Sequence, residues 1–282
     1  MERLKAALDK ARTSREGGAA RSGTGRVSPA GSAALRRKRT EAVNAAWAAI
    51  EPVEIDEAHA VRHRLVTLAG GTDAAAIDIL RTKVLQMTAA NNWRRIALTS
   101  PLPGSGKTTT TLNLAVSLSR QGELRIVVID LDLRRPALSR ALGVRGKGNV
   151  ADILEGRIDF GDHVRRLGDN LALAMNYSSA HAASDLLLRR SSAAIIDEIE
   201  RTYQPDLMLF DMPPMLVNDD ASAFLGRADC GIIVAEADNS TISQVDLCEK
   251  EVAEQTNVLG VVLNKCRFPS DGYAYYYDYK YE

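Results

Sequence analysis

The chain has 282 residues, of which 45% are hydrophobic and 26% are charged, so it can form a large α/β domain with an extension and is neither collagen-like nor mostly disordered. Lys plus Arg and Asp plus Glu number 36 each, and this zero formal charge gives no indication of a nucleic-acid partner. No apolar run reaches the roughly 18 residues of a membrane-spanning helix, and the start of the chain lacks a secretory apolar region, so a cytoplasmic protein is expected.

Residues 1–60 are predicted to form a basic extension made of a helix and a linker. Residues 1–50 contain eleven Lys and Arg but only four acids. Residues 1–15 have a narrow apolar stripe typical of a short helix, and 17–34 are rich in Gly, Ser, Ala and Thr, which predicts a flexible linker. The basic run at 36–39 is interpreted as a solvated charge run, with contact to anionic lipid as the alternative.

From about residue 61 the chain alternates between strand and helix patterns. Apolar, β-branched runs occur at residues 95–100, 125–131, 171–175, 207–211, 231–235 and 259–263. Helical stretches such as 108–120, 184–201 and 241–255 lie between them. Strands that are apolar on both faces and alternate with helices predict a doubly wound, mainly parallel sheet over residues 61–268, with ligands at the carboxyl ends of its strands.

A glycine-rich segment lies between the first of these strands and the following helix. Residues 100–108 read S-P-L-P-G-S-G-K-T, which is typical of the phosphate-binding loop of P-loop NTPases, although Pro101 replaces its first glycine. In such a loop Lys107 reaches the β- and γ-phosphates and the Thr108 hydroxyl ligates Mg²⁺. A glycine-rich turn without a ligand is the alternative. The nucleotide-binding residues predicted here are Gly104, Ser105, Gly106, Lys107, Thr108 and Thr109.

Carboxylates follow two further strands. Asp130 and Asp132 form a D-x-D pair after 125–129, and Asp211 ends the run 207–211 before two prolines. Acids at neighbouring strand ends commonly hold a cation, so Thr108, Asp130 and Asp211 are predicted to form the metal site, Asp211 through a water molecule. The predicted catalytic set is Lys107, Asp130, Asp132 and Asp211.

The last strand and the segment after it carry two further candidates. Asn264 follows the run 259–263, where its amide is suited either to read adenine or to form a turn. Residues 269–282 are predicted to be a mobile tail that contains six of the eight tyrosines. A phenol row in a nucleotide-binding chain suggests phosphoryl acceptors: Tyr273, Tyr275, Tyr276, Tyr277, Tyr279 and Tyr281. The alternative is a sticky aromatic tail for a partner or for stacking on single-stranded nucleic acid, but the sequence lacks the basic groove that such binding requires.

These motifs together resemble the bacterial tyrosine kinases (BY-kinases) of capsule and exopolysaccharide synthesis. The resemblance covers residues 62–282 and rests on P-x-P-G-x-G-K-T, D-x-D-x-R, D-x-P-P and the tyrosine cluster. It implies autophosphorylation of the tail that depends on ATP and Mg²⁺ and occurs mostly between subunits. It also implies a cognate tyrosine phosphatase as partner and control of polysaccharide polymerisation and export.

Three departures from the family pattern change what is expected. The family's E-x-x-R-x-x-R, which holds a ring of subunits together, reads here as Ala75, Asp78 and Arg81, so self-association is expected but a ring is in doubt. The segment N-P-S-E-L-L reads as residues 182–187, A-A-S-D-L-L, which is a milder change. No two-helix membrane part is fused, so the chain resembles the stand-alone form, held at the inner face of the plasma membrane by a separate transmembrane co-polymerase that activates it.

Two other functions fit parts of the sequence. One is a positioning ATPase, in which nucleotide controls dimerisation, but Leu102 stands where those proteins carry a lysine that reaches across the dimer. The other is a nucleotide-binding scaffold without turnover. Fold alone does not separate these functions.

Overall fold

The computed structural model describes residues 41–70, 74–180 and 183–266. The predicted basic helix and linker and the tyrosine-rich segment lie outside these residues. The helices are α1 Glu41–Ala49, α2 Glu57–Arg62, α3 Val66–Ala69, α4 Ala75–Asn91, α5 Lys107–Ser119, α6 Leu138–Leu142, α7 Val150–Leu154, α8 Phe160–His163, α9 Ala183–Leu188, α10 Arg190–Tyr203, α11 Asp220–Leu225 and α12 Ile242–Ala253. The strands are β1 Arg95–Thr99, β2 Ile126–Asp130, β3 Arg165–Leu167, β4 Leu171–Ala174, β5 Leu207–Asp211, β6 Cys230–Glu236 and β7 Asn257–Asn264.

The seven strands form one sheet in the order β3-β4-β2-β5-β1-β6-β7. All neighbouring strands are parallel except β3, which pairs antiparallel with β4. The carboxyl ends of β2, β5 and β1 therefore lie side by side, and the segments that carry the predicted site follow these three strands. The predicted doubly wound, mainly parallel sheet is confirmed.

Alternation within each strand builds two separate hydrophobic cores, one on each face of the sheet. In β2, Val127 and Ile129 belong to one core, whereas Ile126 and Val128 belong to the other. Helices α1, α7, α9, α10, α11 and α12 contribute to the first core, and α2, α4, α5 and α6 contribute to the second. Because helices cover both faces, the strands β1, β2, β4, β5 and β6 are almost entirely buried, whereas the edge strands β3 and β7 are only partly buried. Among the helices that the structure describes, none is long and apolar enough to cross a membrane.

Helix α1 falls within residues 1–60, the predicted extension, yet it belongs to the compact unit that begins at Glu41. It inserts Val43 and Trp47 into the first core. The Trp47 side chain is 2% exposed, and its indole nitrogen donates to the carbonyl oxygen of Tyr203 at 2.7 Å. The apolar side chains of α1 are few and spaced within an alanine-rich stretch, so the sequence did not distinguish this helix from the basic extension.

The helix predicted over 184–201 is interrupted, and this prediction was wrong in its continuity. Arg189 is extended, with φ −62° and ψ 139°, and separates α9 from α10. The guanidinium of Arg227 donates to the carbonyl oxygens of Leu187, Leu188 and Arg189, which the break leaves without helical partners. A distant arginine therefore stabilises the break, and local propensity gives no signal of it.

Candidate nucleotide and metal site

The phosphate-binding loop has the backbone that its glycines predict. Gly104 and Gly106 have φ of +85° and +89°, in the left-handed region that favours glycine. The hydroxyls of Ser100 and Ser105 both donate to the carbonyl oxygen of Leu102, at 2.7 and 3.0 Å, and so tighten the loop. The loop ends at the first turn of α5, a 13-residue helix whose N-terminal N–H groups favour an anion. Loop and helix together can bind a polyphosphate.

Lys107 and Thr108 begin α5 and face the carboxylates of the neighbouring strands. The Lys107 side chain is buried and lies close enough to Asp211 and Asp132 to lower the pKa of both, against the larger opposite effect of burial. The Thr108 hydroxyl donates to Asp211 Oδ2 at 2.6 Å, and the Thr111 hydroxyl donates to Oδ1 at 3.4 Å. The first turn of α5 is thus joined to the end of β5.

Asp130 and Asp211 are cross-strand partners on β2 and β5, and both are fully buried. Burial raises the pKa of Asp130 well above its ordinary value, and the negative charges of Asp211 and Asp132 raise it further. Burial raises the pKa of Asp211 to about 6. Two carboxylates this close are unfavourable when both are ionised, unless a cation lies between them.

The donor set fits a magnesium ion. Asp130 Oδ1 accepts from the Asp132 backbone N–H at 3.2 Å, but Oδ2 is buried and has no hydrogen-bond partner within the described part of the chain. An unpartnered carboxylate oxygen, a second carboxylate on Asp211 and the Thr108 hydroxyl are hard oxygen ligands of the kind that Mg²⁺ prefers. These three residues are also the ones predicted from sequence, and whether they bind metal stays a prediction.

Asp132 lies beyond the end of β2 and is partly exposed. Its Oδ1 accepts from the Arg135 backbone N–H at 3.1 Å, which folds the loop after β2 into a turn. Burial raises its pKa, while Lys107 and Arg135 oppose that effect. Asp132 is therefore next to the site but not in the carboxylate pair.

Asn264 contacts the phosphate-binding loop. It is the last residue of β7, and its side-chain amide donates to the carbonyl oxygen of Ser105 at 2.8 Å. A Cβ atom at Gly106 would collide with this amide, so glycine is required there by space as well as by φ. The structure places Asn264 with the other predicted site residues, by a contact that differs from both the adenine and the turn interpretations.

Two further residues support the site. Arg134, the arginine of the D-x-D-x-R motif, was not predicted to be a site residue, and Asn176 was missed by sequence reasoning. Arg134 forms a two-point ion pair with Asp220, at 2.5 and 3.0 Å, and Asp220 is 1% exposed. This pair joins the loop after β2 to α11, which follows β5. Asn176 is fully buried after β4, and its amide donates to the carbonyl oxygen of Asp130 at 2.8 Å. Its place after an apolar run was the available signal, because polar residues at strand ends converge in this fold.

The loop, the helix start and the carboxylates define the class of protein, a nucleotide-binding protein of the P-loop type. Residues 96–274, more than half of the chain, match the family described as the CobQ/CobB/MinD/ParA nucleotide binding domain (CbiA). The chain belongs to this family.

Known proteins similar to this chain include several named tyrosine-protein kinases. AmsA of Erwinia amylovora, a putative tyrosine-protein kinase, is 30% identical over 220 residues, which are 76% of this chain and 30% of AmsA. The tyrosine-protein kinase YwqD of Bacillus subtilis is 24% identical over 200 residues, 70% of this chain and 83% of YwqD. The solved kinase domain of VpsO is 26% identical, with a TM-score of 0.63 over 73% of this chain and 99% of that domain.

The resemblance to bacterial tyrosine kinases is confirmed by these relatives. The chain spans about a quarter to a third of the length of AmsA and three other curated relatives, EpsB from two Ralstonia species and Wzc from Salmonella typhimurium. YwqD, by contrast, is covered over most of its length. The similarity therefore lies in the part that carries the nucleotide site.

Proposed function

We propose that this protein is a bacterial tyrosine kinase that transfers the γ-phosphoryl group of ATP to tyrosines in its own segment 273–281. One observation carries the proposal: the buried pair Asp130 and Asp211 lies beside Lys107, and β7 contacts the same loop just before the tyrosine-rich segment begins. The relatives named tyrosine-protein kinases support the same reaction.

In this reaction the phenol oxygen of a tyrosine forms a bond to the γ-phosphorus, and the bond between that phosphorus and the β–γ bridging oxygen breaks. ADP leaves, and the phenol proton is released. Because such transition states are loose, the chain contributes mainly position and charge. The loop N–H groups hold the phosphates, and the Lys107 ammonium neutralises negative charge on the transferred group.

Asp130, Asp211 and Thr108 would hold Mg²⁺, which neutralises charge on the β- and γ-phosphates when it is bound. A tyrosine has a pKa of about 10, far above that of a carboxylate, so early removal of its proton is unfavourable. Asp130 therefore accepts the proton late, after the bond to phosphorus has largely formed.

The biological setting is proposed from the relatives. The names of two relatives point to polysaccharide synthesis. One is a putative tyrosine-protein kinase in a cps region, and the other is the succinoglycan biosynthesis transport protein ExoP. We propose that this chain acts in exopolysaccharide or capsule export with a transmembrane activator, and that a tyrosine phosphatase reverses the modification. Through that activator it would work at the inner membrane face.

Mass spectrometry of phosphopeptides tests the reaction. The purified chain is incubated with ATP and Mg²⁺, and we expect phosphate within residues 273–281. Lys107→Met should reduce phosphotyrosine by at least about 10³-fold, because it removes the charge on the transferred group. The matched control is Lys250→Met on the exposed surface of α12, which should change nothing. ATP hydrolysis without phosphotyrosine would support a positioning ATPase, and the absence of turnover would support a scaffold.

A further inference from the structure

A second site candidate lies next to the carboxylates, on the side away from the phosphate-binding loop. A cavity of about 460 Å³ opens between the loop after β2 and the loop after β4. We call it the cationic cavity. Its lining includes Arg134, Arg135, Arg140, Asn176, Tyr177 and Ser178, and among its described lining residues there is no aspartate or glutamate.

One of its three arginines is available for a ligand. Arg134 is paired with Asp220, and the Arg140 side chain donates to the carbonyl oxygen of Pro136. The Arg135 guanidinium has neither a hydrogen bond nor an ion pair with any residue in 41–70, 74–180 or 183–266, yet it lies close enough to lower the pKa of Asp132. Within the described residues this guanidinium has no side-chain partner and the cavity lining contains no acid, so the cavity favours an anion, and the planar donors of Arg135 match a phosphate.

The walls of the cationic cavity are held by buried polar contacts. The Ser139 hydroxyl donates to the carbonyl oxygen of Asn176 at 2.7 Å, and Asn176 Oδ1 accepts from the Val150 N–H at 2.8 Å. Asn149 Oδ1 accepts from the N–H groups of Tyr177 and Ser178 at 3.1 and 3.0 Å. Because these contacts fix both loops, the cavity is preformed. The same Asn176 donates to Asp130, so the cavity and the carboxylate site share a wall.

We propose that the cationic cavity binds a phosphotyrosine of the chain's own tyrosine-rich segment. This inference rests on the proposed function, because that reaction supplies the phosphate. Residues 269–282 contain three acids and one lysine, and each added phosphate contributes about −1.5 to −2 charge. The segment thus becomes more complementary to Arg135 as it is modified.

The segment is long enough to reach the cavity from its own strand. Five strand spacings of about 4.8 Å separate β7 from β4, or about 24 Å. The eleven residues from Cys266 to Tyr277 span up to roughly 36–40 Å when extended. A phosphotyrosine in the cavity then keeps the remaining tyrosines near Asp130, so later phosphates are added faster than the first.

Peptide binding tests the site without any need for catalysis. The probe is a fluorescent peptide of residues 271–282 with phosphate on Tyr277, compared with the unphosphorylated peptide, and the protein is the full chain, dephosphorylated and free of ATP. We expect fluorescence anisotropy to show at least tenfold tighter binding of the phosphopeptide. The double variant Arg135→Gln/Arg140→Gln should bind it at least tenfold more weakly. The control Arg201→Gln, at an exposed position of α10, should match the wild type.

Three results would overturn the inference: equal affinity for both peptides, unchanged affinity in the double variant, or competition by inorganic phosphate as effective as that of the unlabelled phosphopeptide. Unchanged binding of a fluorescent ATP analogue shows that each variant is folded. If the tail is phosphorylated but the phosphopeptide does not bind, this inference fails and the proposed function stands. If the phosphopeptide binds but no phosphotyrosine forms with ATP, the proposed function fails instead.

Discussion

Asp130 and Asp211 lower the stability of the folded protein when both are ionised and no cation is bound. Both are buried, and in the folded state both pKa values lie above the ordinary 3.8. The folded protein therefore binds more protons than the unfolded chain, and the free energy of unfolding falls as the pH rises from about 4 through the folded pKa, which is about 6 for Asp211. These two carboxylates therefore destabilise the metal-free protein most at high pH, where both are ionised and would bind a metal best.

Replacing one carboxylate should relieve this cost. We expect Asp130→Asn to raise the melting temperature of the metal-free protein at pH 8 by about 2–4 °C, since each pKa unit corresponds to about 1.4 kcal/mol. The gain should shrink at pH 5, where the wild-type carboxylates bind protons. Differential scanning fluorimetry at both pH values measures it, with Asp246→Asn on the exposed face of α12 as the control. If Asp130→Asn melted at a lower temperature than the wild type at pH 8, the inferred repulsion between the Asp130 and Asp211 carboxylates would be wrong.

For individual residues, the sequence predicted which side chains lie together at the site but not their hydrogen-bond partners. Lys107, Asp130 and Asp211 were placed together because each lies at or after the carboxyl end of a strand, and parallel strands end at one edge. The contact of Asn264 with Ser105 was not predictable, because it depends on β7 ending level with a loop 159 residues earlier in the chain. Asn176 follows the same strand-end rule and could have been found by it.

Among the elements, α1 packs on the domain mainly through Trp47, its one large aromatic side chain. Trp47 packs edge-on against Tyr203 at 6.3 Å between ring centroids, and the Arg125 guanidinium lies 5.3 Å from the Trp47 ring centre. Its indole N–H also satisfies the carbonyl at the end of α10. Sequence patterning missed α1 because one tryptophan among alanines gives a weak helical period.

We expect Trp47→Ala to lower the free energy of unfolding by about 3–5 kcal/mol, as large-to-small changes in a core do. Trp47→Phe keeps most of the packing but loses the hydrogen bond to Tyr203, and it should cost about 1–2 kcal/mol. Urea unfolding of both variants provides the comparison. A loss below about 1 kcal/mol for alanine would mean that α1 is not part of the folded unit.

For the whole molecule, self-association depends on which side chains of α4 are available to a second subunit. Asp78 Oδ1 accepts from the Ser117 hydroxyl at 2.6 Å, and Asp78 forms ion pairs with Arg81 and Arg120 at 3.1 and 3.3 Å. Arg81, the one residue retained from the family's E-x-x-R-x-x-R pattern, is therefore engaged within its own chain. Association through this helix should be weak unless a partner assists it.

Light scattering tests this expectation. The wild-type chain, purified without a partner, should give the mass of a 30.6 kDa monomer. The double variant Ala75→Glu/Asp78→Arg restores the family pattern and releases Arg81, and it should form larger assemblies. A ring in the wild type, or a monomer in both proteins, would show that the E-x-x-R-x-x-R pattern does not control assembly in this chain.

The end of β7 beside the phosphate-binding loop has a further consequence for competition among substrates. A group joined covalently to a site through a dozen or so residues is held near that site at an effective concentration in the millimolar range, whatever the dilution of the protein. A separate protein that offers a tyrosine at micromolar concentration would meet the site about a thousand times less often than the chain's own segment. Under the proposed function, the chain is its own most abundant substrate, and a foreign tyrosine is modified only when a scaffold brings it equally near.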